Sequence, residues 1–398
     1  MINPSAQGWV DKFFSKSHLL NTTNLYSNKD FYCKTRETGF IYGHVVSINT
    51  QEPLLMDGWT SEEVSKVALL NSLFGIYQLV EKNPEKSKFI DLAFDFYNLM
   101  HPKGFSFFKK ILPSESKAIQ LEKIIDSRVQ TNDNIVSKNF SHIVTNALLF
   151  IDVLAFYNFL IKGELTKDYV QKLEEIIVGV VTLSLTIKSN KSHYDDLLIK
   201  LFETSVRYTK FSGFKISDLN ALNFSFLEND LEKFYLMDLA GMAIWSDEKM
   251  EKNEVAFLFD LGSILKLEHF YIIESLTVID EFIKKYRNDI PYFNYSNPIK
   301  HFYDQTTQSV VMLITRNKKR LLKELTESKD LVKLLAASTT RELDTNEKKR
   351  MKKQLLDVCK TIPSLTIFLL PGGSLLLPIL IKFIPQMLPS AFNENLDQ

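Results

Sequence analysis

Apolar residues return at spacings of three and four along most of the chain, and alternating runs of the strand type are hard to find. Glycine and proline are sparse between about residues 60 and 290, so little interrupts that periodicity. The pattern predicts an all-α protein built as a multi-helix bundle. "SEEVSKVALLNSLFGIYQLVEK" (61–82) opens on Ser61 and carries Glu62 and Glu63 in its first turn, where carboxylates meet the free N–H groups of a helix start. "KDYVQKLEEIIVGVVTLSLTIK" (167–188) repeats the apolar spacing. "IVTNALLFIDVLAFYNFLIK" (143–162) has the composition of a membrane span, but Asp152 and Asn158 lie inside it. The uncharged run 176–187 is about a dozen residues, short of the ~20 that a bilayer requires. Both are expected to be buried helices of the bundle. The looser passages "NDIPYFNYSNPIK" (288–300) and "TRNKKR" (315–320) place a boundary near 300. The chain then divides into an N-terminal segment (1–60), a helical domain (61–300), a basic helical region (301–360) and an apolar segment (361–392).

Composition narrows the function classes. Lysine plus arginine equals aspartate plus glutamate at 48 each, so no global excess draws the molecule to nucleic acid or lipid, and specific DNA binding is not expected. Phenylalanine is abundant, 30 of 398, but it is spread through the helices and reads as core filling. Two cysteines, Cys33 and Cys359, are too few for a disulfide framework and fit a reducing compartment. The N-terminus lacks a basic stretch followed by an apolar core and carries Asp11, so no export or organelle address is expected. His193, in "SHYDD" with Asp195 and Asp196, lacks the paired spacing of a metal site. With no glycine-rich phosphate loop and no nucleophile elbow either, a non-enzymatic role is expected.

The most apolar part of the chain lies at 361–392, where Pro363, Pro371, Pro378, Pro385 and Pro389 interrupt it and Gly372-Gly373 sits in the middle. Pro371, Pro378 and Pro385 are seven apart, two helical turns, and would leave open carbonyls along nearly one face of a continuous helix. In hydrocarbon those groups need partners. Three arrangements satisfy them: several copies packed around that face as a homo-oligomer, a re-entrant turn at the glycine pair, or a soluble apolar hairpin against the bundle. Lys348, Lys349, Arg350, Lys352 and Lys353 precede this segment, on a helix that an Asp344/Glu347 capping box starts. Such a cluster beside an uncharged stretch forms the positive flank of a membrane segment, with lipid as the partner. Glu394 and Asp397 follow it, so residues 1–360 are expected on the cytoplasmic side.

The segment 238–268, "DLAGMAIWSDEKMEKNEVAFLFDLGSILKLE", resembles the TerB-like helical module of tellurite-resistance proteins, over about residues 230–290. Asp247, Met250 and Glu254 fall on its acidic turn and Trp245 ends the preceding helix, while Glu248 stands where glycine is usual. Read physically, Ser246 or Asp247 caps the next helix, and Glu251 and Glu254 share one face. Asp247, Glu251 and Glu254 are the candidate oxygen ligands for Ca²⁺ or Mg²⁺. Lys249 and Lys252 are interleaved and the full ligand set is missing, so capping is the expectation and no cofactor is required.

From 343 to 392 the chain resembles the leucine-zipper/EF-hand-containing transmembrane (LETM) family. Asp357, Lys360 and Pro363 match its opening pattern, and Pro371, Pro378, Lys382, Pro385, Met387, Leu388, Pro389, Ser390 and Phe392 match its proline-repeated stretch and closing motif. Joined to a long helical domain with a TerB-like module, the segment further resembles bacterial LETM-related, biofilm-associated proteins. The resemblance implies a protein of the bacterial cytoplasmic membrane, with its bulk in the cytoplasm and roles in cation homeostasis, envelope stress or surface growth. Ser374 stands where the family holds an intramembrane glutamate, and a serine cannot titrate to carry a cation/proton exchange. The resemblance also implies a helical domain beyond the closing motif, implicated in ribosome binding, and with the sequence reaching only Gln398 that binding is expected in weakened form. A soluble ribosome- or protein-binding adaptor is the alternative.

Overall fold

Several helix starts here are written in local chemistry, polar side chains that satisfy the first free N–H groups. The computed structural model describes residues 2–15, 27–100, 115–129, 146–164, 168–189, 218–245, 250–290, 311–341 and 343–359. In chain order the helices are α1 (Trp9–Ser15), α2 (Asn28–Glu37), α3 (Ser61–Val80), α4 (Lys86–Leu99), α5 (Lys117–Val129), α6 (Phe150–Lys162) and α7 (Tyr169–Ile187). They continue with α8 (Asp230–Ile244), α9 (Lys252–Ile264), α10 (His269–Tyr286), α11 (Lys318–Glu327), α12 (Lys329–Thr340) and α13 (Thr345–Cys359). The fold is an all-α multi-helix bundle, with no β-strand among the described residues.

Three reciprocal caps set the register of long helices. At α3 the Thr60 N–H donates to Glu63 Oε2 (2.9 Å) and the Glu63 N–H to Thr60 Oγ1 (3.3 Å), so Thr60 is the capping residue and Ser61 the first helical one. Asn229 and Glu232 do the same at α8, at 3.2 and 3.1 Å. Asp344 and Glu347 open α13 as the sequence predicts, at 3.0 and 2.8 Å. After α2 the chain turns through Gly39 at φ 76°, where a Cβ would lie 2.0 Å from the His44 carbonyl oxygen; only glycine fits. The passage "TRNKKR" differs from its expectation. It is helical except for one turn at Asn317, whose side-chain amide bonds back to the Leu313 carbonyl at 2.9 Å.

One continuous apolar core runs from α1 to α10. Its phenylalanines meet mostly edge to face: Phe14–Phe74 at 5.0 Å, Phe74–Phe89 at 5.1 Å and Phe89–Phe156 at 6.2 Å between ring centres. Core filling therefore accounts for much of the phenylalanine content. α6 and α7 are buried helices as expected, and no described helix is long and apolar enough to cross a membrane. Outside that core, α11, α12 and α13 pack together around Leu321, Leu325, Leu331, Leu335, Met351 and Leu355, all buried.

Charges inside the bundle are matched. Asp152, fully buried on α6, accepts from Arg128 Nε of α5 at 2.7 Å and from the Tyr97 hydroxyl of α4 at 3.0 Å, and Arg128 pairs with its second oxygen. That pairing explains how an acid survives in the apolar run of α6. Glu122 of α5 accepts the Gly8 and Val10 N–H groups, both at 2.9 Å, and so fastens the start of α1. Burial pushes its carboxyl up to about 7 against the pull of those two donors, with Asp126 and Asp11 adding to the rise.

A pH dependence follows from Glu122. Its folded value lies above the ordinary one, so the folded state holds the proton more tightly. The associated stability is fully present below about pH 4.5 and is lost as pH rises through about 7, on the order of 3 kcal/mol in total. Asp126, Glu232 and Asp238 are raised by burial too and slope the same way. Melting temperature is expected to fall from about pH 5 to 8, and Glu122→Gln to flatten part of that slope. An unchanged slope in the Gln variant would contradict this role.

Candidate functional site

The two features singled out by sequence occupy different places in the fold. The first is the basic unit leading into the apolar C-terminal segment. On α13 the residues Met351, Leu355 and Val358 point into the small core shared with α11 and α12, while Lys348, Lys349, Arg350 and Lys353 are exposed on the other side. Arg341 holds Glu347 by two parallel bonds of 2.8 and 2.7 Å, which keeps that carboxyl down at about 2 and anchors the start of α13. Arg350 is paired with Asp330 of α12. Asp357, the first residue of the predicted membrane motif, is exposed in the last turn of α13. Lys360, Pro363, Pro371, Ser374, Pro378, Lys382, Pro385, Met387, Pro389 and Phe392 lie outside the described residues.

The second feature is the acidic turn between α8 and α9. Asp247 lies outside the described residues, as does His193. The residue that starts α9 is Glu251, so the cap falls later than Ser246 or Asp247. Glu254 is buried, and both of its carboxylate oxygens are occupied: Oε2 accepts the Glu251 N–H at 2.7 Å and Oε1 the Ser189 N–H at 2.9 Å. Glu254 therefore ties the end of α7 to the start of α9. Trp245, at the end of α8, donates from Nε1 to Asp280 of α10 at 3.1 Å. Among the described residues no three acidic, histidine or cysteine side chains group as a metal centre.

Two constellations had no counterpart in the sequence reading. Arg316 joins the basic unit to the bundle: Nη1 donates to the Gly58 carbonyl at 2.6 Å, and Nη2 pairs with Glu63 and reaches Ser5 Oγ at 3.3 Å. Partners more than 250 positions away leave no local signal. The other is a buried polar knot at the centre of the bundle. Asp238 of α8 accepts from the Tyr32 hydroxyl of α2 (2.9 Å), from Tyr42 (3.4 Å) and from Ser275 of α10, and Arg36 Nη1 stands 3.7 Å away. Burial raises the Asp238 carboxyl, while Arg36 and the three hydroxyls pull it back. The signal for it was legible: an aspartate inside the apolar run of α8.

Among known proteins, the family described as "LETM1-like, RBD" matches residues 343–398, from just ahead of the Asp344/Glu347 cap to the last residue. No curated protein and no solved structure matches the chain. The match takes in α13 together with the whole proline-interrupted segment that follows it, so the region with the RBD description begins ahead of that segment and not beyond its closing motif, as the sequence reading had it. The C-terminal region of this protein, residues 343–398, is LETM1-like.

Proposed function

We propose that this is a non-enzymatic, membrane-associated protein in which the LETM1-like end attaches the chain to a lipid bilayer, and the helical bundle is held beside that bilayer as a scaffold. The observation that carries this reading is the adjacency of the LETM1-like match, the exposed cations of α13 and the run between Lys360 and Lys382, which contains no charged residue. With Ser374 at the glutamate position, the chain has no titratable carrier inside that run, so a supporting role in cation homeostasis fits better than exchange by this protein alone. The resemblance of α8 and α9 to a TerB-like pair extends the proposal to envelope stress and surface growth. The description "RBD" of the matched family favours one second reading, in which the basic unit docks on ribosomes.

Topology tests the first reading. In a Cys33→Ser background, Cys359 should be refractory to a membrane-impermeant thiol reagent added to intact cells and become reactive once the cells are opened. A cysteine placed at Asn395 should react from outside if the segment spans, and from inside if it re-enters. Labelling of Cys359 from outside would overturn the proposed orientation.

A further inference from the structure

We propose that the whole α11–α13 unit, and not α13 alone, is a docking face for the anionic headgroups of a bilayer. The inference rests on the membrane attachment argued above and names the lipid class that it reads. Charge is distributed in a way the overall balance conceals. Residues 311–359 carry thirteen lysines and arginines against seven acids, a net +6, in a chain whose total is zero; the remainder is therefore net −6. Packing turns this charge outward, because the leucines of the three helices are spent on their shared core. Lys318 and Lys319 on α11, Lys333 on α12, and Lys348, Lys349 and Lys353 on α13 are all exposed, and none has an ion pair among the described residues.

Two features favour lipid over RNA. First, the arginines are mostly committed: Arg316 to Glu63 and Gly58, Arg341 to Glu347, Arg350 to Asp330. Beside Arg320, the exposed cations without an ion pair among the described residues are the six lysines named above, hydrated point charges suited to a diffuse anionic surface, where RNA recognition draws on the arginine fork and on stacking. Second, residues 311–359 contain no Phe, Tyr or Trp on which a base could stack. The unit is also continuous with the apolar segment, so the same surface that receives 361–381 lies next to these cations.

Co-sedimentation of the full chain with vesicles tests the proposal. Phosphatidylcholine vesicles are compared with vesicles containing phosphatidylglycerol, for the parent, for Lys318→Gln/Lys319→Gln on α11 and for Lys349→Gln/Lys353→Gln on α13. The parent should prefer the anionic vesicles, and the preference should shrink with added salt. Each double variant should bind them roughly 25-fold more weakly, about fivefold per lysine, with binding to neutral vesicles unchanged. Equal binding of the parent to both vesicles would overturn the headgroup reading and leave membrane attachment standing. An α11 variant that binds like the parent would confine the face to α13 and overturn the proposal as stated. No binding to either vesicle would remove the membrane reading along with it. If purified ribosomes compete the parent off anionic vesicles and the variants lose only ribosome binding, the face belongs to RNA.

Discussion

Asp238→Ala is expected to destabilise the bundle by about 3–5 kcal/mol, the cost of leaving a buried charge without its partner. Asp238 is fully buried, and its carboxylate is the common acceptor for Tyr32, Tyr42 and Ser275 and the ion partner of Arg36. Those groups come from α2, from the turn after it, and from α10, so a single acid on α8 joins three other parts of the fold. Without it, the acid left to Arg36 among the described residues is the partly exposed Glu274, 3.3 Å away, beside a weak contact to Cys33 Sγ, and three hydroxyls lose an acceptor. For a chain of this size the loss corresponds to roughly 5 °C in melting temperature, read by circular dichroism. Asp238→Asn keeps one acceptor oxygen and should cost less. The double replacement Asp238→Leu/Arg36→Met removes both charges and should recover much of the loss, because a well-packed apolar pair can equal or exceed a buried ion pair. A cost under about 1 kcal/mol for Asp238→Ala would mean that the carboxylate is not the organising acceptor of this knot.

The fold class was legible because it depends on periodicity, which needs no knowledge of partners. α3, α7 and α13 begin and end within a few residues of where the apolar spacing puts them, and the Asp344/Glu347 cap forms as its sequence implies. The same local rules placed Asp152 in an apolar helix, but its stability there depends on Arg128 from another helix, and that pairing is invisible in one dimension. Arg316 illustrates the limit. In sequence it is one cation of a polar passage; in three dimensions it reaches Glu63, the residue already closing the cap of α3. The acidic turn shows a local rule competing with a functional reading: Glu254 was a candidate ligand by spacing, and the fold spends both of its oxygens on backbone N–H groups, those of Glu251 at the cap of α9 and of Ser189 just past α7. The C-terminal region was the most specific signal of all. Its register of prolines, lysines and the closing motif is carried by residue identity, and the family match over 343–398 rests on the same stretch.

Attachment of the LETM1-like end to a bilayer is the central claim, and extraction of cell membranes with alkaline carbonate tests it most directly. Carbonate strips proteins held by charge alone, since it opens vesicles and removes the electrostatic contribution of the α13 cations, whereas a segment buried in hydrocarbon stays with the lipid. A stretch such as 361–381, with no charged residue, should hold the whole population in the pellet before and after treatment. A chain ending at Cys359 retains the basic unit but not the apolar segment. It should remain partly with untreated membranes and move entirely to the supernatant in carbonate. Recovery of the full chain in the soluble fraction, or its complete release by carbonate, would contradict the account and leave 361–392 as an apolar hairpin packed on protein.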